Sequence, residues 1–166
     1  MQTYDKIDPE LDLVLERTVD AAPKEIWKCW TEPKYLMKWF CPRPWHVVDC
    51  RIDLKPGGEF FTLMEGPGGQ KFPNVGSFLE IVPERKLVWT SVLLPGFRPM
   101  SQPENGAGMP FSCIITLEPH GTSTKYSALA LHQNAADRAA HEKMGFHEGW
   151  GKAFEQMIEV IKGMSA

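Results

Sequence analysis

Apolar and polar side chains alternate along most of this chain, and only near its end does a helical period replace the alternation. Leu11, Leu13 and Leu15 oppose Asp12, Glu16 and Thr18, the two-residue period of a strand with one buried face, ending near Val19. Pro23 fits the first position of a short helix, with Glu25 in its first turn and Ile26, Trp27 and Trp30 on its apolar side. Glu32-Pro33 breaks that helix, and another helical turn or two is predicted over 34–40, stopped by Cys41-Pro-Arg-Pro44. Strands are predicted over 45–54, 59–64, 75–82, 87–94, 111–117 and 122–132. Between them stand the turn sequences Lys55-Pro-Gly-Gly58, Gly66-Pro-Gly-Gly69, Pro83-Glu-Arg-Lys86 and Pro119-His-Gly121. Residues 95–110 hold four prolines and three glycines. They read as a long loop with Phe97, Met100 and Met109 as apolar tips, either a lid or a contact between two copies.

The last element is predicted as one long helix over 134–162. Asn134 suits the N-cap and Asp137 the first turn. Ala140, Met144, His147, Gly151, Phe154 and Ile158 recur at steps of three and four, flanked by Trp150, Met157 and Ile161. Glu142, Lys152, Glu155, Glu159 and Lys162 fall elsewhere. Gly145, Gly149 and Gly151 each cost such a helix about 1 kcal/mol relative to alanine. They let it approach a sheet closely, mark an irregular start near Gly145, or leave room for something else. Sequential hairpins and one long amphipathic helix together predict an α+β helix-grip fold, a curved antiparallel sheet wrapped around the helix.

At 166 residues, with 43% hydrophobic and 23% charged, the chain is read as one domain over 10–166 behind a polar, loosely ordered segment 1–9. A net charge of −3 without a basic cluster argues against nucleic acid and anionic membrane surfaces. No apolar run is long enough for membrane insertion, so a cytoplasmic protein is expected, monomer or homodimer. The four cysteines show no metal-finger or C-x-x-C spacing and read as reduced, partly buried residues. Six tryptophans and nine phenylalanines call for a thick core or a large apolar cavity.

His132, His141 and His147 lack the i, i+4 spacing of a helical zinc pair, and no G-x-S-x-G or phosphate loop is present. No metal, no cofactor and no catalytic residue is therefore assigned. If Lys125 faces solvent, strand period two turns Tyr126, Ala128, Ala130 and His132 inward. With His147 and Glu80 they are either satisfied core groups or a set able to polarise a bound molecule or move a proton. The candidate cavity set is Trp30, Trp39, Trp45, Phe60, Trp89, Phe111, Tyr126, His132, Met144, His147, Trp150, Gly151 and Phe154.

Five fragments carry a family resemblance: Ala22-Pro-Lys-Glu-Ile-Trp27; Thr31-Glu-Pro33 with Trp39-Phe40; Asp53-Leu-Lys-Pro-Gly-Gly58; Gly76-Ser-Phe-Leu-Glu-Ile-Val-Pro83 leading to Leu87; and Met144-Gly-Phe-His-Glu-Gly-Trp150. In this order, over about 11–163, they resemble the START-like (SRPBCC) superfamily. Within it they are similar to the branch of the C-terminal domain of the heat-shock protein 90 ATPase activator. The resemblance implies a sheet wrapped around the C-terminal helix with an apolar cavity between them. It implies no single function, since relatives include lipid carriers, cyclases and co-chaperone domains. The first expectation is binding of a small hydrophobic or aromatic molecule. A chaperone-associated domain of the stress response, with a chaperone as partner, and a cyclase-, aromatase- or hydrolase-like enzyme are the alternatives.

Overall fold

The computed structural model describes residues 6–101 and 109–164. Strand β1 (Asp12–Val19) leads into helices α1 (Pro23–Thr31) and α2 (Pro33–Leu36). Strands β2 (His46–Ile52), β3 (Glu59–Glu65), β4 (Lys71–Val82) and β5 (Lys86–Thr90) follow as hairpins. A two-residue pairing of β6 (Leu93–Leu94) with β7 (Arg98–Pro99) precedes β8 (Ser112–His120) and β9 (Ser123–Leu131). Helices α3 (Ala135–Lys143) and α4 (Phe146–Met164) close the fold. The main sheet has seven strands in the order β1-β9-β8-β5-β4-β3-β2, every neighbouring pair antiparallel. This is the α+β helix-grip architecture that the alternation predicts.

Period two sorts the strands as expected. Leu13 and Leu15 of β1, Tyr126, Ala128 and Ala130 of β9, and Cys113, Ile115 and Leu117 of β8 all sit in the main core. Val88, Ile114 and Leu129 form a small second cluster. Register shifts between Phe78 and Glu80, and between Val47 and Asp49, mark bulges, which bend a strand and increase its twist. At Gly76 a Cβ would lie 2.3 Å from the carbonyl oxygen of Thr90, so only glycine lets β4 pass this close to the end of β5.

The predicted single helix over 134–162 is two helices. Asn134 does cap α3, its Oδ1 accepting from the Asp137 N–H at 2.8 Å. At Gly145, however, φ is +94°, a left-handed conformation that ends a helix and that residues with a Cβ avoid. A period phased across that break fails. The buried face of α4 is Phe146, Ala153, Phe154, Met157 and Ile161, rotated from the predicted stripe. Met144 is 73% exposed at the C-cap of α3, His147 points to solvent, and Gly151 is half-buried at the edge, with only Arg17 Nη2 near its missing Cβ, at 3.8 Å.

The loop predicted over 95–110 is partly ordered by β6 and β7. Phe97 lies on the turn at Gly57, where a Cβ would meet its ring at 2.6 Å. Residues 102–108 of that loop, and 1–5 of the N-terminal segment, lie outside the described residues.

The sequence gives no hint of what Gln156 does. It is 3% exposed on the inner side of α4. Its Nε2 donates to the carbonyls of Trp39 at 3.2 Å and Cys41 at 2.8 Å, and its Oε1 accepts from the Arg43 N–H at 2.9 Å. One amide thus pins the segment after α2 to α4. Replacing it leaves three backbone groups without partners, each costing on the order of 1 kcal/mol or more when buried. Gln156→Met, close in volume, is expected to destabilise the fold by about 2–4 kcal/mol in denaturant titration. A loss under about 0.5 kcal/mol would show that the pin is not structural.

Candidate ligand-binding cavity

Between the inner face of the sheet and α4 lies a cavity of about 680 Å³. Its floor comes from the strands: Leu15 of β1, Phe60, Thr62 and Met64 of β3, Trp89 of β5 and Tyr126 of β9. Trp30, Trp39 and Phe40 close one end, and Phe146, Trp150, Ala153 and Phe154 of α4 form the roof. Phe72, Met100, Met109 and Met144 also line it, the first and last of these well exposed.

The rings form one connected chain across it. Trp30 meets Trp39 edge-on at 4.8 Å, Trp39 meets Phe40 at 5.6 Å, and Phe40 meets Phe60 at 5.6 Å. Phe60 meets Trp89 at 5.2 Å, Trp89 meets Phe111 at 5.3 Å, and Phe111 meets Trp150 at 6.0 Å. Such centroid distances are the favourable range for aromatic pairs. Ser91 holds Phe111 in place: its hydroxyl accepts from the Phe111 N–H at 3.1 Å and donates to the Met109 carbonyl at 2.9 Å.

The polar groups here are few and mostly neutral. The Tyr126 phenol is driven far above its ordinary value by burial, with Cys113 adding to the shift and Trp30 opposing it. Burial pushes the Cys41 thiol of the lining up to about 11; away from the cavity, burial reinforced by Glu25 and Glu32 pushes Cys29 up to about 12, and burial pushes Cys50 up to about 11. All four cysteines are buried and free, and at neutral pH these thiols stay protonated and weakly nucleophilic. The indole N–H groups of Trp30 and Trp89 are both sealed from solvent; that of Trp30 is turned to the Tyr126 phenol without a full hydrogen bond, and that of Trp89 has no acceptor among the described residues. Among those residues no cluster of histidine, cysteine and carboxylate side chains could hold a metal.

A model of the family described as "Activator of Hsp90 ATPase homolog 1-like protein" matches residues 20–162. This chain belongs to that family. A crystal structure of a Nitrosomonas europaea protein is similar at 45% identity and a TM-score of 0.90, covering 96% of this chain and 99% of its own. An Arthrobacter aurescens protein shares the fold at 22% identity and a TM-score of 0.79, over 95% of this chain and 90% of its own. So does an AHSA1-like protein from Aeromonas hydrophila, at 16% identity and a TM-score of 0.66, over 93% and 94%. No functionally curated protein matches the sequence. No helix among the described residues is long and apolar enough to cross a membrane.

Of the residues singled out from the sequence of this AHSA1-like chain, the fold brings nine to the cavity: Trp30, Trp39, Phe60, Trp89, Phe111, Tyr126, Met144, Trp150 and Phe154. Trp45 does not line it. It precedes β2 rather than opening it, so strand alternation does not orient it, and it packs edge-on against Phe72 at 5.6 Å. His147 faces outward, its Nε2 3.9 Å from Glu142 Oε1, and Gly151 lies off the roof; both follow from the helix break. Glu80 is no cavity group either, since it pairs with Lys86 at 3.1 Å and is partly exposed. His132 is buried behind the wall.

The group missed is His141, which lines the cavity and is 8% exposed. Its Nδ1 lies 2.8 Å from His132 Nε2, and His132 Nδ1 lies 2.8 Å from the Leu11 carbonyl oxygen. A nine-residue spacing across a strand end and a turn gives no periodic sign of such a pair. Burial first, and His132 second, lower His141 to about 4 from an ordinary 6.5. The unfolded chain therefore takes up this proton near pH 6.5 and the folded chain only near 4. The sign follows: between these values the unfolded state binds more protons, so stability falls as pH drops, with a limiting slope of about 1.4 kcal/mol per pH unit from this group. Stability measured from pH 7.5 to pH 4.5 should fall less steeply in His141→Phe than in the unmodified protein. Equal slopes would contradict the shift.

Proposed function

We propose that this AHSA1-like protein binds a small hydrophobic or aromatic molecule in the cavity between its sheet and α4. The observation that carries the reading is the unbroken chain of rings around a space of about 680 Å³. That is the size and lining of sites that enclose small ligands. Binding rather than turnover is favoured by the protonation states: a phenol and the Cys41 thiol shifted up and an imidazole shifted down leave the cavity walls neutral near pH 7. Neutral walls suit an uncharged guest, for which burial of apolar surface supplies about 25 cal/mol per Å² before the costs of association.

Gly149 supplies the test. It lines the cavity, and a Cβ built on it meets nothing within 4 Å. Its φ is not in the left-handed region, so a residue with a Cβ is free of backbone strain there and leucine gains about 1 kcal/mol of helix propensity. Gly149→Leu is expected to keep or raise the melting temperature while weakening binding of the neutral fluorophore N-phenyl-1-naphthylamine roughly tenfold, about 1.4 kcal/mol. No saturable binding by the unmodified protein, or equal binding by both, would overturn the reading.

A further inference from the structure

The direction of hydrogen bonding through His132 and His141 is fixed by its far end. The Leu11 carbonyl can only accept, so His132 Nδ1, 2.8 Å away, carries a proton and donates it. Among the described residues the histidines paired with a carboxylate are His46 and His147, so neither His132 nor His141 has such a partner. A cation here would also be buried without a partner, since His132 is 7% and His141 8% exposed. In the tautomer that donates from Nδ1, His132 Nε2 is a bare lone pair, and the 2.8 Å contact makes His141 Nδ1 the donor. His141 Nε2 is then left as an acceptor. It has no partner among the described residues, and unlike the indole nitrogens of Trp30 and Trp89 it is not sealed. The ring itself lines the cavity, with Phe111 at 4.9 Å, Phe146 at 5.3 Å and Trp150 at 6.0 Å from its centroid.

We infer that the cavity selects apolar, aromatic-sized molecules that carry a hydroxyl or N–H donor, which His141 Nε2 accepts. The inference rests on the binding role proposed for the same cavity. Two neutral rings and one backbone carbonyl thus act as a relay of fixed polarity. It presents a lone pair to an apolar space, where an unsatisfied acceptor is costly and a matched donor is favoured. A carboxylate guest brings no donor and would meet that lone pair with like polarity. His141 protonates only near pH 4, so the acceptor persists at neutral pH.

Calorimetric titration with naphthalene, 2-naphthol and 2-methoxynaphthalene tests this, since the last two differ in the donor. The ratio of their affinities in the unmodified protein is compared with that in His141→Phe, which keeps a ring and removes the acceptor. A preference for 2-naphthol that is roughly five- to tenfold larger in the unmodified protein is expected. An equal ratio in both proteins overturns the donor rule while leaving the cavity reading standing. Failure of all three to bind sinks the cavity reading and this one with it. Should His141→Phe fail to fold, ¹⁵N spectra of the unmodified protein decide. Both rings must carry their proton on Nδ1, and His141 Nε2 must shift on adding 2-naphthol but not 2-methoxynaphthalene. A proton on His141 Nε2, or no such shift, overturns the inference.

Discussion

Seven antiparallel strands spaced about 4.8 Å apart make a sheet roughly 29 Å across, whereas a helix with its side chains is about 10–12 Å wide. Among the described residues only one long helix is available to cover that face. It packs against β1 and α1, toward one edge of the sheet. Over β3, β4 and β5 the inner face must be closed by long side chains or left open. Tryptophan and phenylalanine reach furthest for the least conformational cost, so the aromatic richness of the chain and the cavity have one geometric origin. The rings that would fill the gap stand around its walls instead.

Two devices hold that arrangement. Gln156 fastens the segment carrying Trp39, Phe40 and Cys41 to α4, fixing one end of the cavity to its roof. The break at Gly145 lets α3 leave the axis of α4 and brings His141 to the wall beside Trp150. A single straight helix over the same residues would have phased the roof differently. It would have carried His147 toward the sheet rather than to the surface, and buried Met144, which instead stands exposed at the cavity's rim.

Much of this architecture is legible in the sequence. Period two assigned the strands and turned Tyr126, Ala128 and Ala130 inward, and the turn sequences marked nearly every hairpin. The aromatic lining was legible for the same reason: large rings on inward-facing positions have few other places to go. What escaped was set by single backbone angles and by contacts distant in sequence. A positive φ at Gly145 shifted the helical phase and misplaced His147 and Gly151. Gln156 reads as one more polar helix residue, because its partners lie more than 110 residues away. His141 was visible only as a histidine with the wrong spacing for zinc, since its partner lies across the end of β9.

The most direct test of a guest between sheet and roof is where its atoms sit. Intermolecular nuclear Overhauser effects from a bound naphthalene to protein methyl groups would locate it. Contacts to Leu15 on the floor and Ala153 on the roof together are expected, because only the cavity touches both. Contacts confined to exposed methyls such as those of Leu54 and Val82 would place the molecule on the surface and contradict the binding role of the cavity.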